Sequence, residues 1–560
     1  MTVKGVQPSG PQAAALLCAT ALVFRLAGMG AGWLPPTPVL VLLLGLAHLA
    51  DWFLREGSQF DLGALARAHA FEIAAVGLIA VTLAVRLPGL TGDLGHVPLD
   101  IDENRLASNI QHYFVTGELV HTTVEHYPGA AFWLFAGASF LRFMRGLGAG
   151  LVTTPAHLSV TEFVAAARIA NVFVAVGIVT LTALIGRRIA GWWAGLLAGL
   201  LVAIAPLSVD TTTVCRCDPV MLLAVLGAVY LALLAQDRTS NGWFVAAGAA
   251  AGIAAGVKYS GVFAIVPVCL ATLALVSWPD RLKAGALSLV AFAAAIAISN
   301  HFVWYDFPNL LIQLTLQVAI TGAGHWAASS NPAGFYAMIL DRFGTGQVLT
   351  FAGVLFAIIT LATRRLSWWI LVTFPLLYFG FMTSRPSQFP RWVYPLLPFV
   401  AIASSALIAT IVTFVRKSAP QERLRARVAW AFAAVILVAA LASPVWGGMV
   451  SFSRRLATPT YVLAETWIRE HASPGTVVVL GRGWLDVTGS PIEERRVGDL
   501  KKALDGGLDA LSGVQMVVVP EPYFNHPTLR QLGFLDRIHV GWRFGSGTGY
   551  DYEFYAVPQR

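Results

Sequence analysis

Apolar runs of about 16–23 residues recur through the chain, near 11–32, 37–54, 70–89, 164–185, 190–209, 219–236, 242–257, 259–277, 284–304, 346–363, 367–384, 393–415 and 428–447. Each can cross ~30 Å of hydrocarbon at ~1.5 Å per helical residue. Lipid offers no hydrogen bonds, so runs like these must satisfy their backbone polar groups within helices. The runs therefore predict an α-helical polytopic membrane protein of about thirteen transmembrane helices. Mean hydropathy of +0.68 and a charged fraction of only 12% agree. At 560 residues the chain also has room for a small appended domain.

The net charge of +8 does not point to nucleic acid, because many lysines and arginines sit in short loops between apolar runs. There they set orientation, since cytoplasmic loops are enriched in Lys and Arg. Arg55 and Arg67 follow the second run, Arg187-Arg188 the fourth, Arg238 the sixth, and Arg281 with Lys283 the eighth. Arg364-Arg365 follow the tenth and Arg416-Lys417 through Arg427 the twelfth. A cytoplasmic N-terminus puts every one of these groups inside. It also makes 129–146, with Arg142 and Arg145, an amphipathic segment along the outer interface. Segments 90–163, 210–218, 305–345, 385–392 and 448–560 then lie outside. The first run leads directly into a second, so no cleaved signal is expected, and the chain is placed as a multi-pass protein of the cell membrane.

Past Ser451 the pattern changes to short alternating strands, 476–480, 514–519 and 552–557, with helical stretches at 461–471 and 500–511. This predicts a small extracytoplasmic α/β domain over 448–560. The remainder divides into an N-terminal transmembrane hairpin, 1–60, and a membrane domain, 61–447, with long outer loops at 90–163 and 305–345. Loops of that length usually serve function. Of the four cysteines, Cys18 and Cys269 lie in apolar runs, and Cys215 and Cys217 flank Arg216. Together they form no disulfide framework, and the C-x-C pair alone is a weak metal signal.

Two acid groups stand out in the outer segments. Asp100, Asp102 and Glu103 crowd into four residues, so mutual repulsion should raise at least one pKa unless a cation or hydrogen bonds compensate, and a group tuned this way suits a general base. Asp218 closes an apolar hairpin on the same face. An acid beside a membrane can be a solvated loop charge, but this clustering weighs against that. His126 and Tyr127 are candidates to line a cavity, although packed loop aromatics are commoner. His325, in the other long loop, is a weaker candidate. Lys258 faces outward against the charge bias, either snorkelling to headgroups or holding a phosphate. Arg385 and Arg391 also face outward, where a guanidinium suits phosphate recognition.

The order of these features resembles the polytopic glycosyltransferases of the GT-C fold, in particular bacterial relatives of dolichyl-phosphate-mannose–protein mannosyltransferases (glycosyltransferase family 39) and the lipid A aminoarabinose transferase. The likeness rests on Asp102-Glu103 after a span, Tyr127-Pro128-Gly129 and Arg168 followed by Gly186-Arg187-Arg188-Ile189-Ala190-Gly191. It continues through Ala205-Pro206-Leu207-Ser208 leading to Arg216-Cys217-Asp218, Gly256-Val257-Lys258-Tyr259-Ser260-Gly261 and Arg391-Trp392-Val393-Tyr394-Pro395. It covers about residues 70–400. The resemblance implies inverting transfer of a sugar from a polyprenyl-phosphate donor to an acceptor hydroxyl on the outer face. It also implies Asp102 and Glu103 as the family's acid pair, with Asp102 the base and Asp100 its rival. Asp218 becomes the second acid, and Lys258 and Arg391 the phosphate holders. The acceptor is a glycolipid, a polysaccharide or a protein hydroxyl, and membrane lipids surround the chain. The resemblance carries across no metal or cofactor requirement, and a divalent cation at the acids is left open.

The rival expectation is a transporter or flippase for a lipid-linked sugar, which the glycine-rich pair 242–277 would suit. Transporters tend to bind at the bilayer midplane on repeated halves. Here the acids lie in surface segments, with no second copy of Asp102-Glu103.

Overall fold

Among the described residues the apolar runs are largely helical, with breaks at Gly191, Pro206 and Lys258. The computed structural model describes residues 70–91, 101–119, 129–300, 302–305, 307–323, 331–418, 431, 442–450, 460–472, 477–481, 493–497, 504–520, 526–538 and 552–558. The expected hairpin at 1–60 lies outside them, as does most of 428–447.

Helices α1 (Ala70–Ala84), α2 (Ile101–Thr116) and α3 (Ala130–Gly148) precede the long α4 (Val160–Ala190). A capping box between Ser159 and Glu162 starts α4. After it come α5 (Trp192–Ile204), α6 (Pro206–Thr212), α7 (Cys217–Arg238) and α8 (Asn241–Val257). Then follow α9 (Ile265–Ala271), α10 (Trp278–Ser299), α11 (Phe307–Ala323), α12 (Pro332–Ile339), α13 (Gln347–Ala362), α14 (Leu366–Thr383) and α15 (Leu397–Ser418). Among the described residues, five helices are long and apolar enough to cross a membrane, or up to seven if each of two bent pairs is one span. The chain is therefore a multi-pass membrane protein.

Two expected spans are reshaped. The run 190–209 bends by 61° between α5 and α6. Pro206 has no N–H to continue the helix, and the carbonyls freed there need other donors. Arg86 supplies them from a fully buried position. It donates to Ala203 O at 2.8 Å, to the Thr212 hydroxyl at 2.8 Å and to the Ser208 hydroxyl at 2.9 Å. The run 259–277 is likewise not one helix: a 3₁₀ turn, Tyr259–Ala264, precedes α9, and another, Thr272–Ala274, follows it. The described residues of 305–345 are largely helical through α11 and α12. A π turn, Leu340–Gly344, closes α12, and the path into α13 bends by 120°.

Helices α4 and α7 form the centre, and α8 packs against both α7 and α10. A Cβ at Gly248 or Gly252 would lie 2.2 or 2.3 Å from the carbonyl oxygens of Ser288 and Phe292. The α8–α10 contact is thus backbone to backbone, as small residues permit between membrane helices. The Ser288 hydroxyl, donating to Phe244 O at 3.1 Å, bridges the pair.

The tail forms a five-stranded sheet of order β2-β1-β3-β5-β4, from β1 (Val477–Gly481), β2 (Glu493–Val497), β3 (Met516–Pro520), β4 (Gly533–Ile538) and β5 (Tyr552–Ala556). β1 runs parallel to β2 and β3, and β5 antiparallel to β3 and β4. One face of β3 and β5 packs Met516, Val518, Tyr552 and Phe554 on helix α16 (Thr460–His471) through Ala464 and Ile468. The other packs Val517, Val519 and Tyr555 with Leu504, Leu511 and Leu529. Burial and the Glu553 carboxylate that accepts its hydroxyl push Tyr555 above the usual tyrosine range. Three strands fall where the alternation predicts. β2 and β4 do not, because Glu493-Glu494-Arg495-Arg496 and the exposed Gly533–Ile538 lack the apolar alternation of a half-buried strand. Of the helix expected over 500–511, Gly507–Ala510 is described as helical.

Candidate active site

Asp102 and Glu103 occupy the first turn of α2, where the amide dipoles favour carboxylates. Successive side chains on a helix diverge by about 100°, so the two cannot face the same space. Asp102, 20% exposed, accepts a 2.8 Å hydrogen bond on Oδ2 from Nη2 of Arg391. Arg391 reaches it from the 3₁₀ segment Pro390–Leu396 that leads into α15. Glu103 goes inward and is fully buried. Arg168 of α4 donates to it through Nε and Nη2, both at 2.8 Å, and the Cys215 N–H donates to Oε1 at 2.6 Å. Glu103 therefore faces away from Asp102. Its place is at a junction between α2, α4 and the segment before α7.

One turn further along α4, Asn171 donates through Nδ2 to the carbonyls of Val214 and Arg216, at 2.7 and 3.1 Å. Arg168 and Asn171 stand three residues apart, on one helical face. That face anchors both acid-bearing helix starts, α2 through Glu103 and α7 through the 214–216 backbone. The sequence reading quotes Arg168 without a role and does not single out Asn171. Their signal is an arginine and an asparagine inside an apolar span, where polar side chains are costly unless paired.

Asp218 lies in the first turn of α7, its side chain 1% exposed. Its Oδ1 accepts from Lys258 Nζ at 2.6 Å, while no hydrogen-bond donor in the described structure reaches its buried Oδ2. Lys258 sits where α8 ends and the backbone turns extended before the Tyr259–Ala264 turn. Its ammonium stands 5.8 Å from the centre of the Trp392 ring, adjacent in sequence to Arg391. The Arg391 guanidinium lies 4.9 Å from the centre of Phe389, which packs on Trp392 at 5.0 Å. The two ion pairs form one cluster: the charges of Asp102, Arg391, Asp218 and Lys258 all act on the Cys217 thiol, and Arg391 and Arg216 act on Asp218. Two carboxylates and two cations leave that quartet with no net charge.

Arg385, on the loop after α14, stacks its guanidinium 4.8 Å above the Phe381 ring. Asp100, His126, Tyr127 and His325 lie outside the described residues. Among the described residues no three His, Cys, Asp or Glu side chains gather as a metal set. Asp102 and Asp218 are each matched by a protein cation.

The profile of the dolichyl-phosphate-mannose-protein mannosyltransferase family matches residues 157–304, the stretch carrying Arg168, Asn171, Asp218 and Lys258. No curated protein matches the chain. Among solved structures, the archaeal oligosaccharyltransferase of Archaeoglobus fulgidus in its apo form aligns with a TM-score of 0.52 and 12% identity, over 88% of this chain and 75% of that one. The same protein, AglB, in complex with an inhibitory peptide and a dolichol-phosphate gives 0.51 with the same identity and coverage. ArnT from Cupriavidus metallidurans bound to undecaprenyl phosphate gives 0.47 and 17% identity, over 86% of this chain and 98% of that one.

Proposed function

We propose that this chain, which carries the GT-C fold, is a membrane glycosyltransferase that moves a sugar from a polyprenyl-phosphate donor to an acceptor hydroxyl on the extracytoplasmic face. The observation that carries the reading is the cluster itself: two carboxylates at helix starts, each against a cation, gathered from four segments of one membrane domain. The family profile and the dolichol-phosphate of the archaeal relative support a lipid-phosphate donor. So does a largely apolar cavity of about 920 Å³ between α12, α13, α14 and α15, lined by residues such as Phe351, Pro375, Phe379 and Phe399. Its wall includes Leu396, on the same 3₁₀ segment as Arg391, so a lipid chain held there lies close to a cation.

In this reading Asp102 takes the proton of the acceptor hydroxyl as that oxygen attacks the anomeric carbon. The bond from that carbon to the phosphate oxygen breaks, its electron pair leaves on the polyprenyl phosphate, and the anomeric configuration inverts. Arg391 and Lys258 hold the charge gathering on the phosphate, and stabilising such charge is usually the largest catalytic term. Arg385 is a further cation for the donor. Asp218 orients Lys258, and Glu103 positions Asp102. The N-terminus is cytoplasmic, and the cluster and the 448–560 domain are outside. Whether the sugar is a hexose or a pentose, and whether it goes to a glycolipid, a polysaccharide or a protein, is left to the product.

The test is transfer of radiolabelled sugar from polyprenyl-phosphate donors in membranes carrying wild type, Asp102→Asn or Asp218→Asn. Label in a new product, lost with Asp102→Asn at unchanged protein level, supports the reading. Donor that is bound or moved across the bilayer but never cleaved overturns it in favour of a transporter.

A further inference from the structure

Each cation assigned to the donor phosphate already has a carboxylate partner in the chain. Arg391 donates to Asp102, and Lys258 to Asp218, at 2.8 and 2.6 Å. Both pairs are largely withdrawn from solvent, so neither charge is readily traded for water. A phosphate reaching Arg391 offers the same planar fork the same kind of anionic oxygen that Asp102 now supplies. We propose that Asp102 is the phosphate's internal competitor: donor binding draws Arg391 off Asp102, and this exchange is what presents Asp102 to the acceptor hydroxyl. Lys258 and Asp218 form the second half of the same exchange.

The proposal rests on the glycosyltransferase reading and adds an order of events to it. Until phosphate takes the guanidinium, the Oδ2 that would accept the acceptor's proton is engaged by Arg391. The quartet also changes from neutral to carrying the donor's negative charge, which the further nearby cation, Arg216, is placed to offset. After transfer Asp102 gives its proton to the leaving polyprenyl phosphate or to water, and the phosphate departs as the two carboxylates reclaim their partners. Asp102 thereby aids release as well as proton transfer.

The exchange makes a counter-intuitive prediction for a residue read as the base. Decaprenyl phosphate, the probe, is titrated against the full-length chain in lipid nanodiscs. Removing the competitor with Asp102→Asn tightens binding on the order of tenfold, the equivalent of about 1.4 kcal/mol. Arg391→Gln weakens it, and Asp102→Asn adds nothing in the Arg391→Gln background, because there is no longer a cation to release. That double variant separates exchange from simple removal of negative charge, which would tighten binding in both backgrounds. Glu162→Gln, which breaks the Arg142–Glu162 pair on α4, serves as a control with unchanged affinity. Asp218→Asn gives a second arm, again tightening binding, should Asp102→Asn fail to fold. Affinity unchanged or weakened by Asp102→Asn overturns the exchange, even where that variant abolishes transfer and so upholds the glycosyltransferase reading. A wild-type chain that does not bind decaprenyl phosphate overturns both.

Discussion

Glu103 and Arg168 meet through two parallel 2.8 Å hydrogen bonds in a junction closed to solvent, although 65 residues separate them. Breaking a buried pair from one side leaves the other charge stranded, so Glu103→Leu or Arg168→Met should each cost about 3–5 kcal/mol. The pair Glu103→Leu with Arg168→Met should cost less than the sum of its parts, since it strands neither charge. Thermal unfolding midpoints of the four proteins in one detergent provide the check. Additive losses would mean the two residues stabilise the fold independently.

Arg391→Lys keeps the charge and removes the fork. It should raise the donor KM by about 5- to 20-fold, or roughly 1–2 kcal/mol, with a smaller effect on kcat. Steady-state kinetics at saturating acceptor reads this directly. An unchanged KM would take Arg391 off the phosphate.

Transfer should survive EDTA, because both carboxylates of the cluster are balanced by protein cations. Activity lost in chelator and restored by added magnesium or manganese would return a divalent ion to the acids.

Arg86→Met should destabilise the chain by about 2–4 kcal/mol by leaving buried acceptors at the α5–α6 bend unpaired. Ala203 O and the Ser208 and Thr212 hydroxyls are the groups affected. The shift in unfolding midpoint measures it, and a shift within error would show that the bend stands without its staple.

Much of the membrane domain was legible because hydropathy is additive along a segment. The runs over 164–185, 219–236, 346–363 and 367–384 all appear as helices within a few residues of their expected ends. The bends at Ala205 and through 259–274 were not, because they depend on Arg86 from another helix and on local turns that composition does not register. At the site, residue type and predicted face were enough to select Asp102, Asp218, Lys258 and Arg391. The pairing was not readable, since Asp102 meets a partner 289 residues away. Glu103 was grouped with its neighbour because adjacency in sequence hides the angular step of a helix. Two strands of the tail escaped for a different reason: charged or exposed residues carry no alternation to detect.

Anchoring both acid-bearing helices on Arg168 and Asn171 has a consequence for how this molecule can be altered. The spacing of the two carboxylates is set by two residues of one rigid helix rather than by the segments that join them. Insertions or exchanges in the stretches between α2 and α3 or between α11 and α12 should therefore leave the carboxylate spacing unchanged. New acceptors can be sought by grafting those stretches, with α4 left alone as the jig.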